Sequence, residues 1–129
     1  MALDALDVLI VDDSSAIRQI LQRILQHTDL PLGSIHHAAD GFQALAMLEA
    51  NPVSLMLSDI NMPNMDGLQL LTQLRANAAW NKIPVVMITT EGGEAKVLQA
   101  LELGANGYIR KPFTPEQIRE TITGLKAQL

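Results

Sequence analysis

Short apolar runs closed by polar residues recur four times along this chain. Val8-Leu9-Ile10-Val11 ends on Asp12-Asp13, Leu55-Met56-Leu57 on Ser58-Asp59, Val85-Val86-Met87-Ile88 on Thr89, and Tyr108-Ile109 on Arg110-Lys111-Pro112. Such runs, rich in branched side chains and lacking a polar alternation, suit strands buried on both faces of a parallel sheet. Between them the period becomes helical. Ser14 can cap a helix whose stripe is Ile17, Ile20, Leu21, Ile24 and Leu25, the spacing of one apolar face. Pro31 and Gly33 end that segment, and Ser34-Ile35-His36-His37-Ala38 reads as a short, weak strand. Asp40 then caps a helix through Phe42, Leu45 and Leu48, with a turn at Pro52.

The loop Asn61-Met62-Pro63-Asn64-Met65-Asp66-Gly67 leads into a helix with Leu70, Leu71 and Leu74 inward. Pro84 opens the fourth long run, and Gly92-Gly93 interrupts the chain after it. A helix with Val97, Leu98 and Leu101 stops at Gly104. The final helix has the clearest start: Thr114 as N-cap, Pro115 at the first position, Gln117 completing a capping box, and Phe113 with Ile118 as a hydrophobic staple. Its stripe is Ile118, Ile122, Leu125 and Leu129.

Five strands alternating with five helices predict a doubly wound α/β fold, a parallel sheet with right-handed crossovers and helices on both faces. Periodicity does not fix the strand order. No linker or repeat divides the 129 residues, so residues 1–129 read as one domain.

Composition excludes several roles. No apolar run approaches the ~18 residues of a membrane span, and the start lacks a basic segment followed by an apolar one. With no cysteine, a disulfide framework or thiolate metal site is excluded, and a cytoplasmic location is expected. The net charge of −5 and the scattered basic residues argue against binding nucleic acid or an anionic membrane.

Parallel strands bring their closing residues to one edge, where open α/β sheets bind ligands. Here that edge collects Asp12, Asp13, Asp59, Thr89 and Lys111. Each alone has an ordinary structural use, as a cap, a turn former, strand packing or a solvated charge. Together they call for a divalent cation and a phosphoryl group. Adjacent carboxylates raise each other's pKa unless a cation neutralises them. Magnesium suits the set, because it takes few protein carboxylates, keeps waters and shares oxygens with phosphate.

Asp59 is the candidate nucleophile, since a carboxylate can attack phosphorus to give an acyl phosphate. The backbone carbonyl of Asn61 stands ready to help orient the incoming group. Thr90 rivals Thr89 for the hydroxyl role, and Lys111 offers a compact point charge. Pro112 could carry a cis bond that aims the lysine inward. His36 and His37 lack partners at metal-ligand spacing, and Gly92-Gly93 lacks the Lys-Ser/Thr of a phosphate-binding loop.

These residues resemble a known family. Asp12-Asp13, Asp59, the loop Met62-Pro63-x-Met65-Asp66-Gly67, Thr89, Gly104-Ala105-x-Gly107-Tyr108 and Lys111-Pro112-Phe113 are similar, in order and spacing, to the receiver domain of two-component response regulators. The similarity runs from about Asp7 to Leu125 and is nearest the single-domain, CheY-like type. It implies a flavodoxin-like (βα)5 fold with strand order 2-1-3-4-5. It implies that Asp59 takes a phosphoryl group from a histidine kinase or phosphotransfer protein, as a signalling phosphoacceptor rather than an enzyme.

By the same resemblance, Asp12, Asp13, Asp59 and the Asn61 backbone carbonyl hold Mg2+ (or Mn2+), with Asp13 the direct ligand of the pair. Thr89 and Lys111 bind the phosphoryl oxygens, and Tyr108 is an aromatic switch that follows Thr89. Asn61 and Glu91 tune dephosphorylation, for which minutes or less is expected. The chain is expected to be a monomer that signals to a downstream protein through its fourth helix, fifth strand and fifth helix. Ile60 stands where the chemotaxis protein has tryptophan, Trp80 lies in a loop, and Glu94, Thr121 and Gly124 leave the output face poor in lysine. These departures count against a flagellar-motor partner.

Two alternatives remain beside this reading. A receiver fragment of a longer regulator would look the same. A small phosphohydrolase with an aspartate nucleophile fits less well, because Asp12-Asp13-Ser14-Ser15 is not the Asp-x-Asp pattern of haloacid-dehalogenase-like enzymes and no room exists for a substrate cap.

Overall fold

A computed structural model describes residues 5–90 and 94–128, with side chains through 125. The order is β1 (Leu6–Val11), α1 (Ser15–Gln26), β2 (Leu32–Ala38), α2 (Gly41–Ala50), β3 (Leu55–Asp59), α3 (Gly67–Ala76), β4 (Val85–Thr89), α4 (Glu94–Glu102), β5 (Gly107–Arg110) and α5 (Pro115–Gln128). All strand pairs are parallel, in the order β2-β1-β3-β4-β5. The fold is flavodoxin-like, as the alternation and the resemblance led one to expect.

The unbroken apolar runs are explained by two cores, one on each face of the sheet. Successive strand residues point to opposite faces, so β1 sends Val8 and Ile10 one way and Leu9 and Val11 the other. Val8, Ile10, Leu55, Leu57, Val86 and Ile88 pack with Leu21 and Leu25 of α1 and Ile118, Ile122 and Leu125 of α5. Leu9, Val11, Met56, Val85 and Met87 pack with Ala44, Leu48, Leu70, Leu71, Leu74 and Ala100 of α2, α3 and α4. Each fully buried leucine contributes about 1.5–3 kcal/mol relative to exposure. Two covered faces leave the carboxyl edge of the sheet as the place where polar groups gather.

The caps sit where the sequence puts them. Ser14 accepts from the Ile17 amide at 3.3 Å and Asp40 from Gln43 at 2.9 Å. Thr114 and Gln117 form a reciprocal box, at 2.9 and 3.2 Å. Phe113 packs in the same core as Ile118. Gly104, with φ +105°, takes the left-handed position after α4.

Other expectations need correction. β2 is a full seven-residue strand beginning at Leu32, and Gly33 lies inside it rather than ending the preceding segment. A Cβ at Gly33 would collide with the Asp7 carboxylate, which accepts from the Ser34 amide at 2.9 Å. The strand thus tolerates glycine there because Asp7 fills the space, where the β1–β2 register also shifts. Ile20, Phe42, Leu98 and Leu101 are exposed, while the small Ala44 and Ala100 take core positions. Close helix–sheet contact favours alanine there, and a count of large apolar residues misses it. Leu129 lies outside the described residues. Among the described residues, no helix is long and apolar enough to cross a membrane.

Candidate functional site

Strand register assembles the site. Val11 pairs with Ser58, Asp59 with Ile88, and Thr89 with Arg110. The residues that close β1, β3, β4 and β5 therefore become neighbours despite a separation of up to 99 positions. The Lys111 amide donates to the Thr89 carbonyl at 2.7 Å, which ties the β5 end to β4. The Lys111–Pro112 peptide is cis, as the sequence suggested.

Asp12, Asp13 and Asp59 each present an oxygen within 4.8 Å of the others, Asp13 exposed and the other two buried. The Lys111 ammonium lies 2.9 Å from Asp12 Oδ2 and 3.5 Å from Asp59 Oδ2. The second Asp12 oxygen accepts from the Ser14 amide at 2.9 Å. Asp59 Oδ1 is buried and has no hydrogen-bond partner.

The charges explain the ionisation behaviour. Burial first, and then the Asp12 charge, push the Asp59 carboxyl above its ordinary pKa; Lys111 and the nearby Ile60 and Asn61 amides only partly oppose this. For Lys111, burial favours the neutral amine, yet the hydrogen bond to Asp12 and the charges of Asp59 and Asp12 outweigh it and raise the pKa. Asp59 is thus a buried anion short of positive partners. Three carboxylates and an orphaned carboxylate oxygen fit a hard divalent cation, which is satisfied by oxygen ligands.

Thr89 is buried, and its hydroxyl donates to the Thr90 carbonyl at 3.2 Å, while Thr90 is exposed. Tyr108, on the edge strand β5, is 45% exposed. Asn61 lies in the loop after β3, two residues past Asp59. Glu91, with Gly92 and Gly93, lies outside the described residues.

Several supporting contacts were not foreseen from the sequence. An Arg18 guanidinium N–H donates to the Asp12 backbone carbonyl from one turn into α1. Asn64, at φ +69°, donates to Asp40 at 2.9 Å and braces the β3–α3 loop against α2. Asp66 and Gln69 form a second capping box, a pattern legible as Asp-x-x-Gln. Gly67 has a specific reason: a Cβ there would strike the Asp59 carbonyl oxygen, and its amide donates to the Ile60 carbonyl at 2.8 Å. The helix start is thereby held against the strand that carries Asp59.

Residues 8–123 match the response regulator receiver domain, and the chain belongs to that family, the receivers of two-component signalling. Among its relatives are chemotaxis proteins of the CheY type. It is 41% identical over 116 residues to chemotaxis protein CheY1 of Helicobacter pylori, covering 89% of this chain and 92% of that one. The CheY homolog of Campylobacter jejuni is likewise 41% identical over 116 residues, with 89% and 88% covered. The crystal structure of chemotaxis protein CheY4 of Vibrio cholerae superposes with a TM-score of 0.83 at 34% identity, covering 93% of this chain and 98% of that one.

Proposed function

We propose that Asp59 accepts a phosphoryl group from the phosphohistidine of a histidine kinase or phosphotransfer protein, and that residues 1–129 work as one receiver domain in the cytoplasm. The observation that carries this reading is the buried Asp59 carboxylate, with an unpartnered Oδ1, at the centre of three carboxylates and one ammonium. A carboxylate oxygen of Asp59 attacks phosphorus, the phosphorus–nitrogen bond breaks, and the imidazole leaves as a neutral ring once protonated. Asp12, Asp13, Asp59 and the Asn61 carbonyl would hold Mg2+ or Mn2+, which when bound neutralises phosphoryl and carboxylate oxygens.

Phosphorylation adds roughly −1.5 to −2 charges and strong acceptor oxygens. Lys111, now on Asp12 and Asp59, moves its ammonium to those oxygens. The Thr89 hydroxyl leaves the Thr90 carbonyl and donates to the phosphoryl group. Both contacts belong to one state only, so they shift the population toward it. A change from 1:99 to 99:1 needs about 5.5 kcal/mol of differential interaction, within reach of two charge-assisted hydrogen bonds.

Tyr108 then turns toward the space that Thr89 leaves. The face around it carries the exposed Leu98 and Leu101 and a Glu94–Arg110 ion pair of 2.9 Å. A downstream protein docking on α4, β5 and α5 would read the change. The test is intact mass after incubation with acetyl phosphate. One phosphoryl group is expected with Mg2+, none with EDTA, and none on Asp59→Asn with Mg2+. Equal labelling of the Asn variant would sink the reading.

A further inference from the structure

Lys96 stands on the first turns of α4, and its ammonium donates to the side-chain oxygen of Asn61 at 2.6 Å. The two residues are 35 positions apart, so the bond joins α4 to the loop immediately after the β3 aspartate. Lysine has only donors, so the Asn61 carbonyl oxygen, not its NH2, must face α4. A charge-assisted bond of this kind is stronger than one between neutral groups. It fixes the direction of the amide and engages the one acceptor atom of the Asn61 side chain.

From this bond we infer that Lys96 is a positioning residue that slows hydrolysis of the acyl phosphate by holding Asn61 away from the attacking water. The inference rests on the phosphoacceptor reading of Asp59. In hydrolysis the water oxygen bonds to phosphorus and the bond from phosphorus to the Asp59 oxygen breaks. The carboxylate leaves with the electron pair, and the water's proton ends on a phosphoryl oxygen of the released inorganic phosphate. An acceptor beside the phosphorus orients that water, and Asn61, two residues beyond Asp59, supplies one. While its oxygen is bound to an ammonium, it is a poorer partner for the water. Removing the ammonium frees it.

The measurement is the first-order decay of protein phosphorylated with acetyl phosphate and Mg2+, followed by intact mass after the donor is removed. Lys96→Met keeps the stem and suits an exposed helix; roughly three- to tenfold faster decay is expected, the worth of one modest hydrogen bond. Lys96→Arg, which still donates, should decay at a rate near that of the wild type. In an Asn61→Ala background, Lys96→Met should change nothing. In unphosphorylated protein, the side-chain NH2 signals of Asn61 should shift in Lys96→Met and much less in Lys96→Arg. Unchanged or slower decay in Lys96→Met, or equal acceleration with and without Asn61, would overturn the inference while leaving Asp59 as phosphoacceptor. Failure of the wild type to label at all would overturn both.

Discussion

Neutralising Asp59 should make the protein more stable even as it removes the reactive group. Asp12 and Asp59 present oxygens within 4.8 Å, where two charges repel by about 3.5 kcal/mol at an effective dielectric of ~20. Lys111, 3.5 Å away, attracts Asp59 by about 4.7 kcal/mol on the same scale. These nearly cancel, and Asp13 adds further, better screened repulsion. The balance is then decided by the buried Oδ1 that lacks a partner, a penalty of about 1–3 kcal/mol. Asp59→Asn keeps the shape and leaves the Asp12–Lys111 pair intact.

A gain of about 1–2 kcal/mol at pH 7 in EDTA is expected, or about 4–8 °C in Tm for a domain of this size. The sign with pH follows from the raised Asp59 pKa. A carboxyl whose folded pKa is raised stabilises the fold while protonated, below its unfolded value of about 3.9. That benefit is lost as pH rises through the folded pKa. The advantage of Asn should therefore be largest above the raised Asp59 pKa and shrink as pH falls through it toward the unfolded value. Urea unfolding of both proteins across that range, metal-free, measures it. A loss of stability at pH 7.5, or a gain independent of pH, would refute the electrostatic argument. Adding Mg2+ should stabilise the wild type more than the variant.

Other substitutions test the frame around the site. Gly67→Ala places a Cβ against the Asp59 carbonyl oxygen, so a loss of about 1–3 kcal/mol is expected from overpacking, read as a lower urea midpoint. Arg75 donates to the Gly104 carbonyl at 2.8 and 3.2 Å and to the Ile83 carbonyl at 2.9 Å. Arg75→Met leaves those carbonyls unpaired and should cost about 2–4 kcal/mol with little effect on phosphorylation by acetyl phosphate. Hydrogen bonds from the Gln43 amide and then Asn64 hold the Asp40 carboxyl below its usual range. Its stabilisation is therefore present above about pH 3.9 and lost as pH falls through the depressed value. Asp40→Asn should be less stable than wild type at neutral pH and converge with it in acid, as followed by circular dichroism.

Much of this was legible because the sheet is covered on both sides. Continuous apolar runs marked β1, β3 and β4, and their closing residues named Asp12, Asp59 and Thr89 without any structure. Local chemistry was equally readable: Ser14, Asp40 and Thr114 cap the helices they precede. The edge strand β2 was less legible, since its Leu32-Gly33-Ser34 start carries no apolar run and depends on Asp7 across the pair. Helix faces were read too widely where alanine does the packing, as at Ala44 and Ala100, leaving Phe42 and Leu98 in solvent. Contacts such as Lys96–Asn61 and Arg18 to the Asp12 carbonyl join distant or differently oriented residues, and no periodicity encodes them. Ile60, fully buried, shows that the position after Asp59 belongs to the core in this chain.

The central claim is that the phosphoryl group sits on Asp59, and borohydride tests it most directly. An aspartyl phosphate is reduced by borohydride to homoserine, which marks the residue permanently. Protein treated with acetyl phosphate and Mg2+, then reduced and digested, should yield a peptide with homoserine in place of Asp59 and unmodified Asp12 and Asp13. Homoserine at Asp12 or Asp13 with Asp59 intact, or a labelled protein with no homoserine at any of the three, would contradict it.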